Sequence, residues 1–66
     1  ARLELERFLD RAIYQGQEEA EVIHGRGSGI LRRMVHDQLR SFPGVRSFET
    51  ATEDRGGDGV TLVEFG

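Results

Sequence analysis

Residues 21–39 read EVIHGRGSGILRRMVHDQL, a short apolar segment followed by a glycine-rich loop and a run of helical periodicity. Val22 and Ile23 predict the end of a strand spanning 18–24, with both side chains buried. Apolar residues then recur at helical spacing over 30–42, which predicts a helix with Ser28 as its N-cap. The segment therefore predicts a strand, a tight loop and a helix in direct succession.

The rest of the chain predicts one more helix and two more strands. Residues 3–15 have the spacing of an amphipathic helix, with an apolar stripe of Leu5, Phe8, Leu9, Ala12 and Ile13. Gly16 follows at the position where helices commonly end in a left-handed conformation. Residues 45–50 and 60–65 are β-branched and aromatic, and the turn residues Asp58 and Gly59 precede the second run. These two runs predict an antiparallel hairpin with a long loop.

The order α-β-α-β-β predicts an α/β (α+β sandwich) fold in which two helices cover a small mixed sheet. A strand that leads through a helix into another strand usually forms a right-handed parallel unit. The first helix has no strand before it, so we expect a further strand upstream of Ala1. On this interpretation, residues 1–66 are one domain and the C-terminal fragment of a longer protein.

Composition excludes several classes of protein. The 66 residues include no cysteine, which excludes a disulfide framework and a thiolate zinc site. No apolar run approaches the roughly 20 residues that a membrane span needs, and nothing at the start is typical of a signal peptide. We therefore expect a cytoplasmic protein with no membrane partner.

The charge is distributed in blocks although the net charge is only −3. Residues 24–46 contain a single acid, Asp37, whereas the segments on either side are acidic. The arginines of this block are Arg26, Arg32, Arg33, Arg40 and Arg46. Because local fields decide where an anion binds, this block is the expected contact for nucleic acid.

The glycine loop at 24–29 is expected to hold a phosphate. The first N–H groups of a helix lack intrahelical partners, and glycine lets the backbone approach an anion closely. The loop lacks the Lys of a Walker A motif, and Ile30 replaces the last glycine of the dinucleotide-binding pattern. A nucleotide cofactor is therefore not expected.

These motifs together resemble the Smr (small MutS-related) domain, most closely that at the C-terminus of bacterial MutS-II proteins. The resemblance is carried by HGRGSGILR at 24–32, PGVRSF at 43–48 and GGDGVTLVEF at 56–65, and it spans nearly the whole chain. It implies a βαβαββ sandwich similar to the C-terminal domain of the third bacterial translation initiation factor. The family's other motif, an L-D-L-H-G-like strand, lies upstream of the H-G-x-G motif, so only half of the proposed active site falls within this chain.

The resemblance also implies a function. Smr domains bind nucleic acid, often with nicking or endonuclease activity, and MutS-II proteins act in suppression of recombination, DNA repair or rescue of stalled ribosomes. We therefore expect a DNA-binding or RNA-binding domain that is an endonuclease when intact. No cofactor is expected within the chain, although cleavage is compatible with a divalent cation such as magnesium.

The expected site is built from the loop and the start of the second helix. His24 is the candidate catalytic residue, either as a proton acceptor or as a charge on phosphate. The expected phosphate-binding residues are Gly25, Arg26, Gly27, Ser28, Gly29, Arg32 and Arg33. No set of metal ligands surrounds His24. His36 is expected to face solvent together with Arg33 and Arg40, and Asp58 is expected to form a turn.

Alternatives to these interpretations remain open. The glycines also suit a tight turn, and the arginines also suit an ordinary charged surface. Phe8, Phe48 and Phe65 are expected in the core, so no aromatic platform for single strands is predicted. A non-catalytic nucleic-acid module and a domain that docks on a ribosomal surface stand beside the endonuclease hypothesis.

Overall fold

The computed structural model of the protein describes residues 2–27 and 29–66. Within these residues it contains two helices and three strands: α1 (Arg2–Tyr14), β1 (Glu19–Ile23), α2 (Ile30–Arg40), β2 (Val45–Thr50) and β3 (Val60–Phe65). Two short 3-10 turns, Glu53–Arg55 and Gly57–Gly59, lie in the loop between β2 and β3. The predicted order of elements is confirmed. The second helix ends at Arg40, two residues earlier than expected.

The sheet has the order β1-β3-β2, with β3 in the middle. Both β1 and β2 pair antiparallel with β3, as in the pairs Ala20 with Val63 and Phe48 with Val63. The fold class and the β2–β3 hairpin are confirmed, but every strand pair in the described chain is antiparallel, where a mixed sheet was expected. β1 and β2 are still parallel to each other, because each runs opposite to β3. The crossover through α2 skips one position, and β3 fills that position.

The core lies between the helices and one face of the sheet. Leu9 of α1, Val35 and Leu39 of α2, and Val63 of β3 are buried together at its centre. The partly buried residues around them are Leu5, Val22, Phe42, Val45, Phe48 and Phe65. Among residues 2–27 and 29–66, no helix has the length and apolar character that a membrane span requires.

The end of α1 has the geometry that Gly16 predicts. Gly16 has a φ of 77°, and its N–H donates to the carbonyl of Ile13. The next N–H, that of Gln17, donates to the carbonyl of Ala12. These two bonds form a Schellman motif, which turns the chain from α1 towards β1.

Two expected core residues are exposed. Successive side chains of a strand point to opposite faces, so Val22 reaches the core while Ile23 is 79% exposed. The prediction of a buried pair was wrong because it placed neighbouring residues on one face. Phe8 was also predicted in the core, but it is 44% exposed. It lies at the margin of the α1 stripe, beside a groove that Leu31 and Met34 of α2 also line.

Candidate nucleic-acid interface

Two glycine loops meet at the end of the sheet. The carbonyl oxygen of Gly59, just before β3, accepts hydrogen bonds from the N–H groups of His24 at 2.9 Å and Gly25 at 3.0 Å. A Cβ atom added to Gly59 would lie 3.4 Å from the carbonyl carbon of Gly25, so the two backbones are in contact. Gly59 of the GGDG segment therefore holds the first residues of the other loop, His24 and Gly25, against the start of β3.

The loop turns through left-handed glycines at its two ends. Gly25 has a φ of 82° and Gly29 a φ of 89°, and these values favour glycine over any other residue. Gly29 occupies the N-cap position of α2 and supplies no side chain to cap it. Ser28, the predicted N-cap and phosphate ligand, lies outside the described residues.

Most of the predicted phosphate-binding residues line one shallow cleft of about 320 Å³. Its lining consists of Gly25, Arg26, Gly27, Gly29, Arg32 and Asp58. A second cleft of about 440 Å³ shares Gly29 and Arg32 with the first and adds Ile30, Arg33, His36, Asp37 and Arg40. We call the two together the basic cleft. Folding therefore brings the described members of the predicted site together at the N-terminal end of α2.

The arginines of the basic cleft differ in their partners. The Nη2 atom of Arg26 lies 3.4 Å from Glu53 Oε2 and 3.4 Å from the carbonyl oxygen of Gly56. Exposed pairs of this kind contribute little to stability, so phosphate can replace Glu53 at small cost. Within residues 2–27 and 29–66, no carboxylate oxygen lies within 4.0 Å of the guanidinium group of Arg32 or Arg33. Both charges are therefore available to an anion.

Arg46, in contrast, does not belong to the basic cleft. Its Nη2 atom lies 3.0 Å from Glu64 Oε2 on the other face of the sheet. That face has a broader concavity of about 720 Å³, lined by the carboxylate residues Glu19, Glu21, Glu49 and Glu64 together with Arg55 and residues of the three strands. This concavity does not suit phosphate, because its carboxylates repel an anion.

A buried hydroxyl connects two histidines beside the basic cleft. Thr61 is fully buried in β3, and its Oγ1 lies 2.8 Å from His24 Nε2 and 2.8 Å from His36 Nε2. The other ring nitrogen of His24, Nδ1, lies 3.2 Å from the carbonyl oxygen of Gly25. His24 is 8% exposed, so its ring is held inside the protein at the end of β1.

His36 was predicted to face solvent, and this was wrong. It is half-buried, its ring packs against Phe48 at 5.1 Å between centroids, and its edge meets the His24 ring at 6.2 Å. The helical spacing places His36 beside the solvent face of α2, but its ring turns towards the sheet and Thr61. A signal for this contact was absent from the sequence, because Thr61 is 25 residues away.

The pKa of His36 is lowered from its usual value. Burial is the main cause, since it disfavours the charged imidazolium. The charge of His24 in its protonated form and those of Arg32 and Arg40 lower the pKa further, and Asp37 opposes them. Burial and these charges therefore favour the neutral imidazole of His36 beside the arginines of the basic cleft.

The described residues do not form a metal site by themselves. Residues 2–27 and 29–66 include no group of three His, Asp or Glu side chains that is close enough to hold an ion. Asp58 lies in the 3-10 turn Gly57–Gly59, as a turn residue would, and borders the basic cleft.

Comparison with known proteins identifies relatives along the whole chain. A model of the Smr domain family matches residues 1–66. A protein named Endonuclease MutS2 from Solidesulfovibrio magneticus is 57% identical over 63 residues, which is 96% of this chain and 8% of that protein. Another of the same name, from Maridesulfovibrio salexigens, is 54% identical over 94% of this chain and 8% of its own length. The chain thus spans about a twelfth of these relatives.

Two solved structures have the same fold. The Smr domain of Thermus thermophilus MutS2 superposes with a TM-score of 0.93 at 36% identity, covering 97% of this chain and 80% of that one. YdaL, a stand-alone small MutS-related protein from Escherichia coli, superposes with a TM-score of 0.84 at 29% identity. That match covers 89% of this chain and 50% of YdaL.

Proposed function

The chain belongs to the Smr domain family, and from this premise we propose that it binds the phosphate backbone of DNA or RNA in the basic cleft and nicks it there. The observation that carries the proposal is the convergence of the loop glycines, Arg26 and Arg32 in one cleft at the start of α2. Backbone N–H groups, a helix dipole and arginine forks then act on the same anion.

Binding is expected to be independent of sequence. The described lining of the basic cleft is shallow and consists largely of glycine backbone and arginines, groups that can hold the phosphate backbone without reading base edges. The relatives named endonuclease support the cleavage part of the proposal. The longer protein that contains such a domain is expected to act in suppression of recombination, in DNA repair or in ribosome rescue.

Cleavage is tested by conversion of supercoiled plasmid to open circle. We expect the intact domain to make this conversion and His24→Ala to slow it, because His24 links the glycine loop to Thr61. Tyr14→Ala is a matched control, since Tyr14 is 92% exposed at the end of α1. Repeating the reaction with a chelator tests whether cleavage depends on a divalent cation such as magnesium.

Three results separate the open alternatives. Salt-sensitive plasmid binding without any open circle would favour a non-catalytic binding module. Retention on ribosomes that survives nuclease treatment, without plasmid binding, would favour docking on protein. If the protein binds neither duplex nor single strands at about 50 mM salt, where phosphate contacts are strongest, the proposed function is wrong.

A further inference from the structure

The hydrogen bonds around Thr61 have a definite direction. A hydroxyl has one proton to donate and two lone pairs that accept. The Oγ1 atom of Thr61 contacts Nε2 of both His24 and His36 at 2.8 Å, so it donates to at most one imidazole and accepts from the other. The side chain is fully buried, which leaves it without water as a substitute partner.

Gly25 decides which histidine receives the proton. Its carbonyl oxygen can only accept, so the Nδ1 atom of His24 at 3.2 Å must carry a hydrogen. A neutral imidazole has one N–H, and Nε2 of neutral His24 is therefore a lone pair that accepts from the Thr61 hydroxyl. The hydroxyl group of Thr61 therefore donates its hydrogen bond to His24.

The other histidine must have the opposite tautomer. Since the hydroxyl proton points to His24, the Nε2 atom of His36 has to donate its own hydrogen to Thr61 Oγ1. Neutral His36 then keeps its lone pair on Nδ1. In the part of the chain that the structure describes, no protein group forms a hydrogen bond with this atom, and the His36 side chain borders the basic cleft beside Arg32 and Arg33.

We propose that Nδ1 of His36 is the proton acceptor for phosphodiester cleavage in the basic cleft, and that Thr61 is the positioning residue that sets its tautomer. This inference rests on the proposed function and names the base of that same site. The ring of His24 has both nitrogens bound to protein, so its part is to orient Thr61. The sequence alone pointed to His24 instead, because it stands next to the glycine loop.

The chemical step is a hydrolysis. Nδ1 of His36 takes one proton from water as the water oxygen forms a bond to phosphorus. The bond from phosphorus to the leaving sugar oxygen breaks with its electron pair, and that oxygen takes a proton from solvent. His36 returns its extra proton to solvent, so the reaction consumes one water and yields a phosphate monoester and a free hydroxyl. Arg32 and Arg33 offset the charge that develops on the phosphate.

The charged groups near His36 favour this role. On α2 they are Arg32, Asp37 and Arg40, and the ring of His24, neutral in this arrangement, approaches from the end of β1. The strands β2 and β3 contribute the uncharged Phe48 and Thr61. With burial, the cations outweigh Asp37 and favour the neutral ring, so the base form persists to lower pH than for a free imidazole.

The tautomers are measured directly by nitrogen NMR of the protein with 15N-labelled histidine. The chain has two histidines, so the NMR signals of each ring are assigned by substituting the other histidine. We expect a protonated Nδ1 in His24 and a protonated Nε2 in His36. Thr61→Val, which removes the hydroxyl at similar volume, should mix the tautomers of His36, whereas Thr61→Ser should keep them. Protonated Nδ1 in wild-type His36 would overturn the inference.

Plasmid nicking then tests the base itself. His36→Gln keeps an N–H for Thr61 and lacks a basic nitrogen, so nicking should slow about 10²–10⁴-fold, the usual contribution of a general base. His24→Gln keeps an acceptor for Thr61 and should slow less than His36→Gln. Thr61→Val should slow the reaction and shift its pH profile, and Thr61→Ser should restore both.

The outcomes separate the two proposals. Wild-type nicking that His36→Gln leaves unchanged overturns the role of His36 and leaves the proposed function intact. A larger loss in His24→Gln than in His36→Gln returns the base to His24. Failure of the intact wild-type domain to cleave any nucleic acid overturns cleavage and the base together, even if the tautomers are as expected.

Discussion

Gly27 differs from the other two glycines of the loop in what the fold requires. Gly25 and Gly29 have positive φ values, which favour glycine. Gly27 does not, and a Cβ atom built on it meets nothing within 4 Å. The described fold therefore accepts a side chain at this position. A requirement for glycine at residue 27 would come from a ligand that approaches the backbone.

This distinction predicts a separation of stability from binding. We expect Gly27→Ala to keep the thermal stability of the wild type, within about 0.5–1 kcal/mol, and to weaken nucleic-acid binding severalfold. Calorimetry and a binding titration measure the two effects. Unweakened binding by a folded Gly27→Ala would show that phosphate does not approach the loop here.

Gly56→Ala is the matched control for a glycine that the fold needs. Gly56 has a φ of 116°, and an added Cβ would clash with the side chain of Val60. The variant should be less stable by about 1–3 kcal/mol. Equal stability of the two variants would contradict this reading of the glycines.

The helix α2 has the core on one side and the basic cleft on the other. Val35 and Leu39 are buried against the sheet on one side, and Arg33 and Arg40 lie in the basic cleft on the other. His36 stands between these sides and bonds to Thr61 of β3. One of the contacts that hold α2 on the sheet is therefore made by a titratable side chain, that of His36.

The stability of the fold should consequently depend on pH. The pKa of His36 is lower in the fold than the usual value of about 6.5. Between the two values the unfolded chain binds more protons, so stability rises with pH across this window and is lost as pH falls below about 6.5. Chemical denaturation from pH 5 to pH 8 measures the effect.

His36→Gln is the control, because it has no proton to exchange in this range. The variant should show a shallower loss of stability below pH 6.5 than the wild type. Parallel curves for the two proteins would show that His36 does not contribute to the dependence.

At the scale of the whole molecule, charge is divided between two surfaces. Arg32, Arg33 and Arg40 line the basic cleft on the α2 side. The outer face of the sheet carries four glutamates, and its Arg46 and Arg55 are paired with Glu64 and Glu21. A molecule with net charge −3 therefore has a cationic side and an anionic side.

Two double variants with the same loss of charge test this division. Arg32→Ala/Arg33→Ala should weaken binding and reduce the slope of log K against log salt by about 0.9 for each phosphate contact removed. Arg46→Ala/Arg55→Ala removes two positive charges from the acidic face and should leave the slope near that of the wild type. Equal effects would mean that net charge, and not the basic cleft, controls binding.

Local patterns were sufficient to predict most of the elements. The bounds of β2 and β3 are those expected, and Gly16 ends α1 as predicted. The wrong predictions concern residues whose surroundings are formed by parts of the chain that are distant in sequence. The side chain of Ile23 points away from the core, and Phe8 lies at the margin of the core. The sheet is antiparallel and not mixed, because β3 lies between β1 and β2.

The sequence by itself determined the family, the order of elements and the place of the glycine loop, since each depends on residue types at short, regular spacing. The tertiary structure alone decided that Thr61 joins His24 to His36, across separations of 37 and 25 residues. It also places Arg46 outside the basic cleft and shows that the fold does not require a glycine at residue 27. Hydrogen-bond direction and side-chain clearance depend on atoms that only the folded chain brings together.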